Sequence, residues 1–164
     1  MTGTLKPESV STKQERIAKL ARNSPGMAFS SLNHYVDYEW VDYAYRCTRK
    51  DGALGVDGQS ARDYAKDLQG NLVLLIDRLK SGSYRAPPVR RHYIEKSDGG
   101  QRGLGIPSFE DKVAQRTVLM LLEPIYEQDF VEGSYGFRPG RNAHQALQVV
   151  RRALAQQGRR WVLD

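Results

Sequence analysis

Two positively charged side chains on either side of a tight turn are the first candidates for chemistry in this 164-residue sequence. The stretch YIEKSDGGQRGLGIP, residues 93–107, carries Lys96 before the turn and Arg102 after it. Two cations on one sheet face, with no carboxylate between them, suit a triphosphate or a nucleic-acid backbone, because both side chains donate charge-assisted hydrogen bonds to phosphate oxygens. The alternative interpretation is an exposed hairpin whose charges are simply solvated.

The length of the turn decides whether the two cations share a face. A two-residue turn at 98–99 would place Lys96 opposite Gln101, so that Lys96 and Arg102 lie on opposite faces. A three-residue loop at 98–100, with its last glycine in the left-handed region, would place Lys96 directly opposite Arg102. We favour the second register, because the Gly-Gly pair supplies the conformation that it needs.

Small residues follow in the second strand of this hairpin. Gly103 and Gly105 are expected to leave room for a ligand to lie against the sheet. Glu95 should project from the face opposite the two cations, because side chains alternate along a strand.

A second candidate is the glycine-rich stretch GSYGFRPGRN at residues 133–142. Aromatic residues that alternate with arginines, here Tyr135, Phe137, Arg138 and Arg141, can stack on bases and bind phosphates. The alternative is that the aromatic residues anchor the loop to the core, and we expect at least one of them to do so. Arg138 could equally pair with a buried carboxylate.

Helical patterns predict the elements that position these loops. Residues 1–12 are expected to be loose, and residues 13–22 to form a short basic helix that Ser24-Pro25-Gly26 breaks. A second helix is predicted at 35–50 from the spacing of its apolar residues. Ser60 should cap a third helix that ends at Gly82, and Pro87-Pro88 should lead into an extended strand.

Two further helices are predicted after the hairpin. Ser108 should cap a long helix that runs to about Glu123 and ends or kinks at Pro124. Asn142 should cap a last helix ending at Gly158, whose inward face would hold Ala143, Ala146, Leu147, Val150 and Leu154. The final RRWVLD then predicts the start of a strand.

Composition restricts the class of protein. The net charge of +6 and the pI of about 9.5 favour a polyanionic partner such as nucleic acid. One cysteine and three scattered histidines form no zinc pattern, so we predict no metal ligands. Apolar runs are too short to span a bilayer and no secretory signal is recognisable, so we expect no membrane partner and a cytoplasmic location.

Four stretches, in the expected order over about residues 31–164, give the chain a family resemblance. They are LNHYVDYEWVDYAYRCTRKDGALGVDG, LKSGSYRAPPVRRHYIEKSDGGQRGLGIPSFEDKVAQ, LEPIYEQDFVEGSYGFRPGRNAHQAL and WVLD. The chain resembles the N-terminal part of group II intron reverse transcriptases, which are also intron maturases. The sequence departs from the usual Ile-Pro-Lys, Arg-Pro-Leu and Ala-Pro-Gly-Val-Asp-Gly patterns at Glu95, Gly103 and Leu54.

The resemblance implies an α+β fold: mainly helical reverse-transcriptase fingers with an antiparallel β-hairpin and the start of a palm strand, a truncated right-hand polymerase. It implies three segments: 1–30, flexible or short helical; 31–84, a helical N-terminal extension that contacts template RNA; and 85–164, the fingers with an incomplete palm.

The same resemblance implies roles for particular residues. A nucleotide-binding set would contact the dNTP triphosphate and the new base pair: Lys96, Arg102, Ile106 and Pro107. A template-binding set would contact RNA: Arg90, Arg91, Tyr135, Phe137, Arg138 and Arg141. Two-metal phosphoryl transfer needs converging carboxylates for Mg²⁺, and the family's Asp-x-x-x-Phe-Asp and Tyr-Ala-Asp-Asp motifs do not occur in this sequence. We therefore expect no catalytic residue here, with the metal-binding aspartates beyond Asp164.

Three functions follow as hypotheses. The first is the N-terminal portion of an RNA-directed DNA polymerase that is inactive alone, with RNA, an RNA/DNA duplex and the missing palm, thumb and DNA-binding regions as partners. The second is a non-catalytic RNA-binding module of the maturase type. The third is a decayed reading frame without activity.

Overall fold

The computed structural model describes residues 7–156, which divide into two compact units. Of the described residues, 7–125 belong to the first unit and 126–156 to the second. Helices and one two-stranded antiparallel sheet make up the described residues, so the predicted mixture of helices with a hairpin is confirmed. The predicted strand at 161–164 lies outside the described residues. The functional segments 1–30, 31–84 and 85–164 stay a prediction.

The first unit is helical apart from its hairpin. Its helices are α1 (Glu8–Asn23), α2 (Tyr38–Cys47), α3 (Ala61–Tyr64), α4 (Leu68–Ser81) and α5 (Phe109–Asp129), of which α5 continues into the second unit. Short 3-10 turns occupy Asn33–Tyr35 and Ala65–Asp67. Between α4 and α5 lies the hairpin, whose strands are β1 (Arg90–Glu95) and β2 (Gln101–Ile106).

One apolar core holds the helices of the first unit together. Trp40 of α2 is fully buried, and its indole N–H donates to the carbonyl of Thr117 in α5 at 3.2 Å. The rings of Tyr45, Tyr64 and Phe109 pack against one another, edge to face or stacked. Further buried members come from α1, α4 and α5: Val10, Ile17, Leu72, Leu75, Ile76, Val113, Ala114, Met120 and Leu121.

The first helix is longer than the sequence predicted. It begins at Glu8, so the expectation that residues 8–12 are loose is wrong. Val10, Gln14 and Ile17 are buried along one side, and this helical spacing extends the periodic face toward the N-terminus. The predicted break at Ser24-Pro25-Gly26 is confirmed, since the helix ends at Asn23.

α5 continues through Pro124 to Asp129, so of the two predicted alternatives the end at Pro124 is wrong, and the kink stays a prediction. Proline has no backbone N–H to donate to the carbonyl four residues earlier, which is that of Met120. The buried side chain of Gln14 donates to this Met120 carbonyl at 2.8 Å. The helix tolerates the proline here because α1, 106 residues away, supplies the hydrogen bond that the proline cannot.

The caps that the sequence predicted in the first unit are present. Ser60 and Asp63 form a reciprocal capping box at the start of α3. Gly82 closes α4 with a left-handed φ of 71°. Ser108 accepts the backbone N–H of Asp111 at the start of α5.

The second unit contains the end of α5, a loop and α6 (Ala143–Gln156). Asn142 caps α6 as predicted, by exchanging side-chain to backbone hydrogen bonds of 3.0 Å with Gln145. The predicted inward face of this helix is wrong for the described chain, because no residue of α6 is buried. The apolar residues of α6 remain substantially exposed: Leu147, Val149, Val150 and Leu154. Gly158 lies outside the described residues.

Candidate nucleic-acid interface

The hairpin turn comprises residues 97–99, one position earlier than predicted. The N–H of Gly99 donates to the Lys96 carbonyl at 3.1 Å, and the N–H of Lys96 donates to the Gly100 carbonyl at 2.8 Å. Gly99, and not Gly100, adopts the left-handed conformation, with a φ of 80°. Asp98 stabilises the turn by accepting the N–H of Gly100 at 2.9 Å. The predicted loop at 98–100 is therefore wrong.

This register still places the two cations on one face of the sheet. Ile94 lies directly opposite Arg102, and Lys96 lies opposite Gly100. A Cβ added to Gly100 would lie 3.7 Å from Lys96 Cδ, so the lysine stem extends over that glycine. Lys96 and Arg102 are thus diagonal neighbours, and the predicted direct pairing is wrong while the shared face is retained.

The same face carries a third cation at the base of the hairpin. Arg90 pairs with Ile106, and the even-numbered positions between the base and the turn share this face because side chains alternate along each strand. We call it the cationic face, formed by Arg90, His92, Ile94, Lys96, Arg102, Leu104 and Ile106. It contains no carboxylate residue, whereas Glu95 belongs to the opposite face, as predicted.

Arg91 also belongs to the opposite face, so the two neighbouring arginines of β1 do not point toward one ligand. The space beside the strand glycines is filled on that face. The ring of Tyr93 lies 3.6 Å from where a Gly103 side chain would begin, and Val89 approaches the equivalent point of Gly105 to 2.9 Å. The prediction that these glycines leave room for a ligand is wrong, because the hairpin's own side chains occupy it.

The nucleotide-binding set predicted from the resemblance is accessible. Lys96 and Arg102 are exposed, and neither forms an ion pair with any residue between 7 and 156. Ile106 and Pro107 are half-buried where β2 joins α5. Arg102 and Ile106 are four residues apart on one strand, or roughly 13 Å.

The base of the hairpin is tied to the loop at 51–58. Arg90 Nε donates to the carbonyl of Leu54 at 2.9 Å, and Lys112 of α5 donates to the adjacent carbonyl of Ala53 at 2.8 Å. Gly55 is buried against α5, and a Cβ there would lie only 2.5 Å from Ser108 Cα. Only glycine fits this contact without a backbone shift, so Gly55 is the sequence signal for a junction that motif analysis did not identify.

In the second unit, Arg138 organises its own loop. Its side chain is 7% exposed and makes a two-point contact with Glu127, of which the Nη2 to Oε2 distance is 2.9 Å. Its Nη1 donates to the carbonyls of Val131 and Ser134, and the guanidinium lies 4.9 Å from the ring centroid of Phe130. The hydrogen bond to Glu127 raises the pKa of Arg138 above its ordinary value. The alternative that Arg138 pairs with a carboxylate is confirmed, although Glu127 is partly buried and not buried as predicted. Template contact by Arg138 stays a prediction.

The aromatic residues of this loop differ from each other. Tyr135 is half-buried under Arg141, whose guanidinium lies 5.1 Å from the ring centroid and donates to the Glu132 carbonyl. Phe137 is fully exposed and has a φ of 57°, which is the left-handed region that bulky residues avoid. The expected loop anchor is therefore Tyr135, whereas Phe137 presents its ring to solvent from a strained backbone.

No group of three His, Cys, Asp or Glu side chains between residues 7 and 156 is placed to hold a metal ion. None of the helices in that range is long and apolar enough to cross a bilayer.

Comparison with known proteins identifies relatives over most of the chain. No protein-family model matches it. It is 38% identical over 162 residues to Protein YkfC of Escherichia coli, and 35% identical over 155 residues to the group II intron-encoded protein LtrA of Lactococcus lactis. Over 47 residues it is 53% identical to the mitochondrial Nuclear intron maturase 2 of Arabidopsis thaliana.

The two long matches cover 94% and 92% of this chain but only 42% and 25% of the relatives' own lengths. The chain is thus the counterpart of one part of these longer proteins. The resemblance found from the four motifs is confirmed, and the chain belongs to the family of group II intron-encoded proteins and intron maturases.

Proposed function

We propose that this chain provides the RNA- and nucleotide-contacting fingers of an RNA-directed DNA polymerase of the group II intron type. The observation that carries the proposal is the cationic face, which aligns Arg90, Lys96 and Arg102 without a carboxylate on the same side. Such a face attracts phosphate oxygens and repels no part of a polyphosphate. The names of the relatives, an intron-encoded protein and an intron maturase, favour intron RNA as the nucleic acid.

Within this proposal, Lys96 and Arg102 bind the triphosphate of an incoming dNTP. Ile106 and Pro107, half-buried at the base of the hairpin, contact the new base pair. Arg90 contacts the template RNA from the cationic face, and Arg91 contacts RNA from the opposite face of the hairpin. The loop at 133–142 contacts RNA as well. Mg²⁺ would neutralise the phosphates in the complete polymerase, but the described residues offer no cluster that fits it, so we assign no metal-dependent step to them.

RNA binding without polymerisation is the second candidate, because one relative is named for intron maturation. Both candidates require contact with RNA phosphates, and they differ in whether the cationic face also binds a dNTP. A nucleotide titration therefore separates them.

The test uses the 164-residue chain and its Arg102→Gln variant. Fluorescence anisotropy of a labelled single-stranded RNA is measured over a range of KCl concentrations, and dGTP binding is followed by NMR at the amides of β1 and β2. Loss of one phosphate contact should reduce the slope of log K against log salt by about 0.7 and weaken binding several-fold. The dGTP-dependent shifts should disappear as well.

Arg62→Gln is the matched control, since Arg62 is an exposed cation of α3 that forms no ion pair within residues 7–156. Equal effects of both variants would reject the cationic face as a site. Retained RNA binding with no dGTP shift in the wild-type chain would reject nucleotide binding and favour the maturase candidate.

A further inference from the structure

A second basic site lies on the first unit, apart from the cationic face. A cavity of about 530 Å³ opens between the end of α2 and the outer side of α5. Its walls include three cationic side chains and no carboxylate; the principal lining residues are Arg49, Gly52, Lys112, Gln115, Arg116 and Leu119. We call it the α2–α5 pocket. Its volume is within the range of cavities that hold a nucleotide-sized ligand.

Two of the three cations are held in position by the loop that follows α2. Lys112 is fixed by its hydrogen bond to the Ala53 carbonyl, which leaves its other two N–H donors for a ligand. Arg49 pairs with Asp51, but these side chains are 79% and 74% exposed. An ion pair this exposed contributes little stability, so a phosphate can replace the carboxylate at small cost.

The third cation of the pocket is Arg116, which no carboxylate among the described residues pairs with. Arg116 is exposed on α5, and among residues 7–156 it forms no ion pair. The neighbouring Lys50, by contrast, points inward: its ammonium donates to the carbonyls of Tyr45 and Thr48 and lies 3.9 Å from the Tyr45 ring centroid. Lys50 therefore stabilises the loop, whereas Arg116 is available to bind an anion.

The remaining walls suit the rest of a nucleotide. Leu119 is 46% exposed and offers an apolar surface to a base or ribose. Gln115 donates to Asp111 Oδ2 at 2.8 Å, which fixes its amide while leaving the amide oxygen as an acceptor. A basic wall beside an apolar wall and an oriented amide is the combination that recognises a phosphate together with its nucleoside.

We propose that the α2–α5 pocket binds one phosphate and the adjoining nucleoside of a single-stranded RNA, with Arg116 as the principal cation. This inference rests on the proposed RNA-binding function and adds a contact outside the hairpin. RNA that reaches both sites would contact the chain on the hairpin and on the helical body.

The first experiment tests the pocket without RNA. Uridine 5′-monophosphate is titrated into the ¹⁵N-labelled 164-residue chain, and amide shifts of Gly52 and Leu119 are followed by NMR. Saturating shifts at these amides that are lost in Arg116→Gln and kept in Arg62→Gln are expected. Absent shifts, or shifts that persist in Arg116→Gln, would overturn the proposal. The ¹⁵N spectrum of each variant shows directly that it is folded.

The second experiment identifies the source of the phosphate. A labelled oligouridine is bound at increasing KCl, and Arg116→Gln should reduce the salt slope by about 0.7 while Arg116→Lys restores it. A slope unchanged by Arg116→Gln, with the monophosphate still bound, would show a free-nucleotide site and overturn the RNA assignment. A slope reduced by Arg102→Gln but not by Arg116→Gln rejects only the pocket, whereas the reverse result rejects only the hairpin.

Discussion

The hairpin and the loop at 130–142 contain similar residues and use them in opposite ways. In the hairpin, the exposed Lys96 and Arg102 have no ion-pair partner within residues 7–156. In the loop, Arg138 is nearly buried and donates to Glu127, Val131 and Ser134. The ladder of the hairpin already uses its carbonyls, whereas the irregular loop leaves carbonyls that need donors.

The comparison shows that local acceptors, and not the type of residue, decide the role of a cation. An arginine beside unpaired carbonyls and a carboxylate donates hydrogen bonds to them and so stabilises the surrounding loop. Lys96 and Arg102, which extend from paired strands near the turn and away from such acceptors, keep their donors for a ligand. Whether a cation is free to bind a ligand therefore has to be argued from its hydrogen-bond and ion-pair partners. Substitutions can test this separately in the hairpin and in the loop.

Arg138→Gln is expected to reduce local stability more than any other substitution proposed below. Glutamine removes the ion pair and most of the donors, so the Val131 and Ser134 carbonyls lose their partner and the loop opens. Hydrogen exchange should show loss of amide protection over residues 131–141. Arg102→Gln should leave hydrogen exchange in the hairpin unchanged while it weakens RNA binding several-fold.

The reverse pattern in the two arginine variants would contradict these roles. Full amide protection in Arg138→Gln would mean that the loop is held by other contacts, and that Arg138 has donors to spare for a template. Lost protection in Arg102→Gln would mean that this side chain supports the hairpin itself.

The next effect concerns Phe137, the residue of the loop whose conformation is strained. Replacing it by glycine should stabilise the loop by about 1 kcal/mol, because a left-handed φ costs other residues about that much. The same change removes the exposed ring, and the loss of one stacking contact should weaken RNA binding at least fivefold. Hydrogen exchange measures the first effect and anisotropy the second.

Phe137→Asn is the control, since asparagine tolerates the left-handed region and also lacks the ring. Both variants should lose RNA affinity to the same extent. Undiminished affinity in both would show that the ring serves a purpose other than stacking on RNA.

The sequence was informative where structure depends on neighbouring residues. Ser60 and Asn142 cap their helices and Gly82 ends α4, because capping is decided within about four positions. The course of α5 through Pro124 depends on Gln14, which is 106 positions from the carbonyl that it satisfies. No local pattern carries that information.

The sequence predicted that Lys96 and Arg102 share one face of the hairpin, but it gave the wrong register for the two strands. Lys96 and Arg102 nevertheless lie on one face, because side chains alternate between the two faces along a strand. A shift of the strand pairing by two positions therefore leaves each side chain on the same face. The turn itself had two adjacent glycines, either of which could take the left-handed position. Arg116 was missed because its pocket forms only where α2 and α5 pack side by side, and no sequence pattern indicates that packing.

The smallest effect is expected at the turn. Gly99→Ala forces a left-handed alanine and should destabilise the hairpin by about 1 kcal/mol. Gly100→Ala should cost less, because its added Cβ would lie 3.1 Å from Asp98 Oδ1, a side-chain atom that can shift slightly. Hydrogen exchange of the Lys96 amide, which bonds across the turn, measures both.

The order of the two alanine variants decides the register. A larger loss in Gly99→Ala supports the turn at 97–99, with Lys96 and Arg102 as diagonal neighbours. A larger loss in Gly100→Ala would move the loop to 98–100 and bring the two cations directly opposite each other. Their side chains would then repel more strongly, so the face would gain more from a bound polyphosphate, and the contrast with the self-paired Arg138 would become sharper.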